Sequence, residues 1–160
     1  MKAKSVLLDT SFFIRFLKED DPLFNNTDEY YRYFLEKDIP MIISTISIAE
    51  YCVGGNINEL PLKDLQILPL NVLHAQRAGE FAKIVFQNRN KLKLNERNII
   101  PNDTKLFSQA DIENQIGYYI SSDIESFKIY NLLKNETSVK FEFIDLNIKH
   151  SESFGLLEFD

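Results

Sequence analysis

The chain has 160 residues, 44% of them hydrophobic and 26% charged, and a formal net charge of −6. That length suits one folded domain with its own core, and the ordinary balance of apolar and charged residues excludes a disordered or fibrous chain. The negative total argues against a non-catalytic DNA binder whose whole surface grips phosphates.

In chain order, Ser5 to Asp9 reads as a buried strand, and Thr10 to Lys18 as a helix with an apolar stripe of Phe12, Phe13, Phe16 and Leu17. Asp20, Asp21 and Pro22 break the chain, and Thr27 caps an amphipathic helix to Lys37. Met41 to Ile43 is a second strand, and a helix from Ser47 to Val53 stops at Gly54 and Gly55. Gln66 to Leu70 is a short extended segment that Pro69 keeps out of a central strand position. Asn71 caps a long helix through Leu92, and Ile99 to Pro101 leads into another that begins at Asn102 or Asp103 and ends at Gly117. Tyr118 to Ser121 is a strand, Asp123 to Leu133 a helix, and Lys140 to Leu146 a final strand. This alternation implies parallel βαβ units, hence a single α/β domain over 1–146 with a central parallel sheet flanked by helices on both faces. Residues 147–160 form a C-terminal tail that packs back or mediates association.

The lone Cys52 excludes an internal disulfide and a Cys-based zinc site. Asp9 interrupts the first apolar patch too early for a signal peptide, and no apolar run is long enough to span a membrane. Cytoplasmic residence is the simplest expectation. A basic group, Lys83, Arg89, Lys91, Lys93 and Arg97, reads as a solvated helix face.

Four acidic residues stand at strand-to-helix junctions: Asp9 after SVLL, Glu50 one turn beyond PMIIST, Asp103 after NIIPN and Asp123 after YYISS. In a parallel sheet the carboxyl ends of the strands share one edge, so these groups can converge. Asp9, Asp103 and Asp123 each have a plain alternative as helix caps. Glu50 does not, because its context, ISTISIAEYCVGG, is apolar or small, and a buried Glu is rare unless it is paired or metal-bound. Ser47, one turn earlier, is placed to hydrogen-bond Glu50, while Thr10 and Ser11 can cap the first helix and orient Asp9. Carboxylates suit Mg²⁺ or Mn²⁺, and a pair of such ions activates water for phosphodiester cleavage without a nucleophilic side chain.

Other chemistries are poorly supported. His74 and His150 have no partners for a nucleophilic triad and read as partly exposed or capping residues. The glycines form neither a phosphate-binding loop nor a dinucleotide fingerprint. A haloacid-dehalogenase phosphatase would carry a second Asp where Ser11 stands, and a receiver domain would carry an acidic pair where Leu8 and Asp9 stand.

The segments LLDTSFFIRFL, ISTISIAEY, IIPNDTKLFSQA and ISSDIESF, in that order, resemble the PIN domain metal-dependent nucleases, particularly the VapC-type toxins of toxin–antitoxin systems. The resemblance runs from about Val6 to Leu146. It implies a PIN-like domain, Asp9, Glu50, Asp103 and Asp123 as metal ligands and catalytic residues, and Mg²⁺ or Mn²⁺ as cofactor. It also implies an RNA substrate, an antitoxin protein as partner, and a homodimer. Ser11 and Ser47 are expected around the ligands. Ser126 stands where some relatives carry a further acid, and Lys105 replaces a commonly apolar residue, so that it either points to solvent or touches a phosphate. The segment from Gly54 to Leu70 is short for such a toxin. Ser126, the acidic surface and this short segment leave a second reading, a PIN-like binding or regulatory module without efficient catalysis.

Overall fold

Short strands, largely apolar at the centre and mixed at the edges, set the sheet. The computed structural model describes residues 4–88, 90 and 99–153. Its strands are β1 (Ser5–Leu8), β2 (Met41–Ser44), β3 (Leu65–Leu68), β4 (Ile116–Ser121) and β5 (Glu142–Asp145), all parallel and ordered β3-β2-β1-β4-β5. Every residue of β1 and β2 is buried, as expected of central parallel strands covered on both faces. Chain order reverses at β1, whose neighbours β2 and β4 lead outward in opposite directions. Leu8 pairs with both Ile43 and Ile120, so Asp9, Ser44 and Ser121 follow side by side at the carboxyl edge.

The helices are α1 (Thr10–Phe16), α2 (Phe24–Glu36), α3 (Thr45–Tyr51), α4 (Val72–Gln87), α5 (Ile99–Ile112), α6 (Ile124–Glu136) and the short α7 (His150–Ser153), with two 3₁₀ turns at Ile57–Glu59 and Leu62–Asp64. Strand alternation divides the core. Val6, Leu8, Met41 and Ile43 meet Phe12 and Phe13 of α1 and Tyr30 and Phe34 of α2 on one face. Leu7, Ile42 and Tyr119 meet Phe81 and Val85 of α4, Leu106 and Phe107 of α5 and Ile129 of α6 on the other. The expected doubly covered parallel sheet is therefore present. Phe107 is fully buried, with its ring centroid 4.9 Å from that of Tyr119 and 5.6 Å from that of Phe141. Phe107→Ala should lower the urea unfolding free energy by roughly 3–5 kcal/mol, the range for deleting a buried Phe.

Several boundaries differ from the sequence reading. Thr27 does not cap α2, which begins at Phe24. Asp21 starts the turn by accepting from the Leu23 N–H at 2.8 Å, and the buried Thr27 hydroxyl donates back to the Leu23 carbonyl at 2.7 Å. α3 begins directly after β2, because Ser44 caps it by accepting from the Ile46 N–H at 3.1 Å. α5 begins at Ile99, so Asp103 lies inside the helix and does not open it. Pro101 is tolerated there because first-turn N–H groups have no intrahelical partner. α5 ends at Ile112, and Gly117 lies within β4. Asn71 does cap α4, accepting from the His74 N–H at 2.9 Å while His74 Nδ1 accepts from the Asn71 N–H at 3.0 Å. His74 is fully buried, with Nε2 2.7 Å from Glu113, so it is a capping residue but not an exposed one.

The start of the tail packs back on α2. Asn26 donates to the Leu146 and Ile148 carbonyls at 2.8 Å each and accepts from the His150 N–H at 2.7 Å, and the Tyr30 hydroxyl meets Ser153. α4 ends at Gln87, with Asn88 as its C-cap, and does not continue to the expected Leu92. The basic residues Arg89, Lys91, Lys93 and Arg97 and the tail beyond Ser153 lie outside the described residues.

Candidate functional site

The site forms where the chain order reverses, at the carboxyl edge between β1 and β4, the position at which open α/β sheets bind ligands. Asp9 stands at the N-cap of α1, yet its side chain makes no capping hydrogen bond. Its Oδ2 instead accepts from the Ser11 hydroxyl at 2.8 Å and the Ser121 hydroxyl at 2.7 Å. Those hydroxyls accept in turn from the N–H groups of Ser122 and Asp123, each at 3.0 Å. Both proton positions are thereby fixed, and a buried carboxylate is held in one orientation by donors from two elements.

Glu50, near the end of α3, accepts from the Thr10 hydroxyl at 2.9 Å and is hydrogen-bonded to the Asn102 side chain. The expected Ser47 partnership does not form. Ser47 is fully buried with no hydrogen-bond partner among the described residues, whereas Glu50 is half-buried at the pocket. Asp103 is 5% exposed. Its Oδ1 accepts from the buried Ser126 hydroxyl at 2.8 Å, and its Oδ2 is buried without any partner among the described residues. Ser126 thus supports Asp103 with a buried hydroxyl. Asp123 retains its capping role, with Oδ1 accepting from the Glu125 N–H at 2.9 Å, and it also lines the pocket.

Asp9, Glu50, Asp103 and Asp123 line one pocket of about 310 Å³, together with Thr10, Ser11, Ile14 and Asn102. A larger groove of about 500 Å³ adjoins it, sharing Ile14 and Glu50 and reaching Leu17, Tyr51 and Val53. Lys105 is not brought to the acids. It lines a separate groove beside α4 with Leu70, Ala78 and Phe86.

The electrostatics are those of unneutralised convergence. Burial raises the Asp9 carboxyl above its ordinary value against the Ser121 and Ser11 hydrogen bonds, and Asp123 adds repulsion. Burial, then the Asp9 charge, push Asp103 well above the usual carboxylate range. Glu50 is raised by burial and by Asp9, against the Thr10 hydrogen bond. Buried carboxylates that repel one another are stabilised by a proton or a cation. Tyr119, fully buried below them, has its phenol raised well beyond its usual range by burial and by Asp9 and Asp103, so it remains a proton donor.

The donor set is all oxygen, which fits Mg²⁺ or Mn²⁺ and not a soft metal. Asp103 Oδ2 is the observation that tests the fit: a buried acceptor with no partner is what a cation would satisfy. Among the described residues no group of three or more His, Cys, Asp or Glu side chains is close enough to hold a metal ion by itself. An open pocket still suits Mg²⁺, which keeps several waters and can meet part of its carboxylate shell through them.

Thr10, Asn102, Ser121 and Ser126 complete the site, and no motif spacing in the sequence assigned them these partners. The available signal was a polar residue closing an apolar strand, as in Ser121, or a small hydroxyl one turn past a helix start, as in Ser126.

No protein-family model matches the sequence, and no curated protein matches it. Solved structures do match. The chain is similar to one in the VapBC2 assembly from Rickettsia felis bound to a fragment of promoter DNA, with 22% identity, 88% of this chain and 98% of that one covered, and a TM-score of 0.58. It is similar to a chain of FitAcB from Neisseria gonorrhoeae, with 14% identity, 88% and 97% coverage and a TM-score of 0.61. It is also similar to a chain of DNA-bound VapBC from Salmonella typhimurium, with 15% identity, 89% and 98% coverage and a TM-score of 0.52. The likeness spans nearly the whole of those chains and establishes the fold: an α/β domain of the PIN type.

Proposed function

We propose that this protein is a divalent-metal-dependent endoribonuclease that hydrolyses RNA phosphodiester bonds, acting as the toxin of a type II toxin–antitoxin pair. The observation that carries the reading is the carboxylate pocket at the switch point, with a buried, unpartnered Asp103 oxygen and an Asp9 that does no capping. Asp9, Asp103 and Asp123 would hold Mg²⁺ or Mn²⁺, with Glu50 a ligand directly or through water. Bound there, the metal supplies Lewis acidity for water attack and for the leaving oxygen. The chain's own contribution is to fix the Asp9 carboxylate through Ser11 and Ser121, Glu50 through Thr10 and Asn102, and Asp103 through Ser126.

The antitoxin partner is supported by the matching fold of chains from VapBC and FitAcB assemblies. A homodimer and cytoplasmic residence belong to the same proposal. No helix among the described residues is long and apolar enough to cross a membrane. Ser126 no longer favours the weak binding module, because its hydroxyl is committed to Asp103. The test is calorimetric titration with Mn²⁺, followed by incubation with a fluorescent single-stranded RNA. Saturable Mn²⁺ binding, with RNA cleavage that a chelator stops, is expected. Metal binding without cleavage would leave the module; no metal binding would end the proposal.

A further inference from the structure

Tyr119 lies at the centre of β4, on the side of the strand that faces α5, and its ring packs 4.9 Å from Phe107 and 5.6 Å from Phe143. Phe107 is one helical turn beyond Asp103, and Ser121, two residues further along β4, donates to Asp9. The tyrosine therefore stands directly below the acid pocket, with its hydroxyl beside the Asp9 carboxylate and in the field of Asp103. The side chain is fully buried, and the hydroxyl makes no hydrogen bond of good geometry among the described residues. A phenol in an otherwise aromatic and aliphatic layer gains nothing over Phe if it stays unbonded, and leaving it so costs roughly 1–3 kcal/mol. An unpartnered donor thus stands beside Asp9, in a cluster where Asp103 keeps an unpartnered acceptor.

We infer that Tyr119 is a positioning residue of the metal centre: its hydroxyl is the donor held in reserve for the Asp9 carboxylate, completing the set begun by Ser11 and Ser121 and fixing the face that Asp9 presents to a divalent cation. The inference rests on the proposed metal-dependent reading. Hydrogen bonds to ligating carboxylates commonly govern metal affinity, and removing one costs 10–100-fold. The role does not involve a charge on Tyr119, which keeps its proton throughout.

Tyr119→Phe separates this role from a packing role. In the presence of EDTA the variant should melt at the same temperature as the wild type or higher, since no formed hydrogen bond is lost. Its Kd for Mn²⁺, measured by calorimetry, should rise about tenfold or more. Equal Mn²⁺ affinity in the two proteins would overturn the inference while leaving the metal centre intact. Weaker affinity accompanied by a lower melting temperature in EDTA would overturn it too, by making the hydroxyl structural. If the wild type itself binds no Mn²⁺, the metal-centre reading fails and the inference with it.

Discussion

Asp9→Asn should abolish metal-dependent RNA cleavage while leaving the protein folded. The carboxylate sits at the end of the central strand, where β1 touches both β2 and β4. Its Oδ2 is held by two hydroxyls. Asn has the same shape, and its carbonyl can accept from Ser11 and Ser121, so the α1 junction survives. The negative charge is lost, and with it attraction for a cation. Outer-sphere changes alone typically cost 10–100-fold, so removing the charge of a ligand should lower cleavage by roughly 100-fold or more. Burial already disfavours the Asp9 charge, so the melting temperature in EDTA should hold or rise. Cleavage at the wild-type rate, from protein free of contaminating nuclease, would remove Asp9 from the mechanism and with it the proposed function.

The parts of the molecule legible in sequence were those written in one local pattern. SVLL and MIIS are continuous apolar runs, and in the structure they are the central parallel strands. Because all strands run one way, Asp9, Glu50 and Asp123, which follow β1, β2 and β4, had to share an edge, and α5 brings Asp103 to the same pocket. What escaped was set by side chains acting across turns. Asp21 starts α2 before Thr27 can cap it. Ile99 to Pro101 reads as the lead-in to a helix that opens at Asn102 or Asp103, but it is the first turn of α5, which moves Asp103 into the helix. The partner of Glu50 is Thr10, 40 residues away, and not the adjacent turn's Ser47. Sequence spacing identifies i+3 neighbours within a helix, but the rotation of α3 that buries Ser47 is decided by packing against the sheet.

The acid cluster should make the metal-free protein lose stability as pH rises, in contrast to a fold held by salt-bridged carboxylates. Asp9, Glu50 and Asp103 all have folded-state pKa values above their ordinary 3.8, 4.5 and 3.8. The native state therefore keeps protons that the unfolded chain has released, and the slope of unfolding free energy with pH is negative in that interval. Their contribution is full below the ordinary values and is lost as pH rises through the elevated ones. Asp103 has the largest part in this, since burial and the Asp9 charge both act on it and its Oδ2 has no partner. Asp103→Asn keeps an acceptor for Ser126 and replaces the unpartnered oxygen with an amide that donates to neighbouring carboxylates. In EDTA the variant should gain on the wild type as pH increases from about 4.5 to 7.5, by about 1–3 kcal/mol at the upper end. For a chain of this size that is roughly 2–4 °C of Tm per kcal/mol. Mn²⁺ should reverse the order. At a concentration 100 times Kd the wild type gains about 2.7 kcal/mol, and the variant, lacking the buried ligand, gains little. Thermal melts of both proteins across this pH range, with EDTA and with Mn²⁺, make the comparison. Parallel curves in EDTA would show that Asp103 is not held protonated by its neighbours. An equal response to Mn²⁺ would show that any bound ion sits away from Asp103.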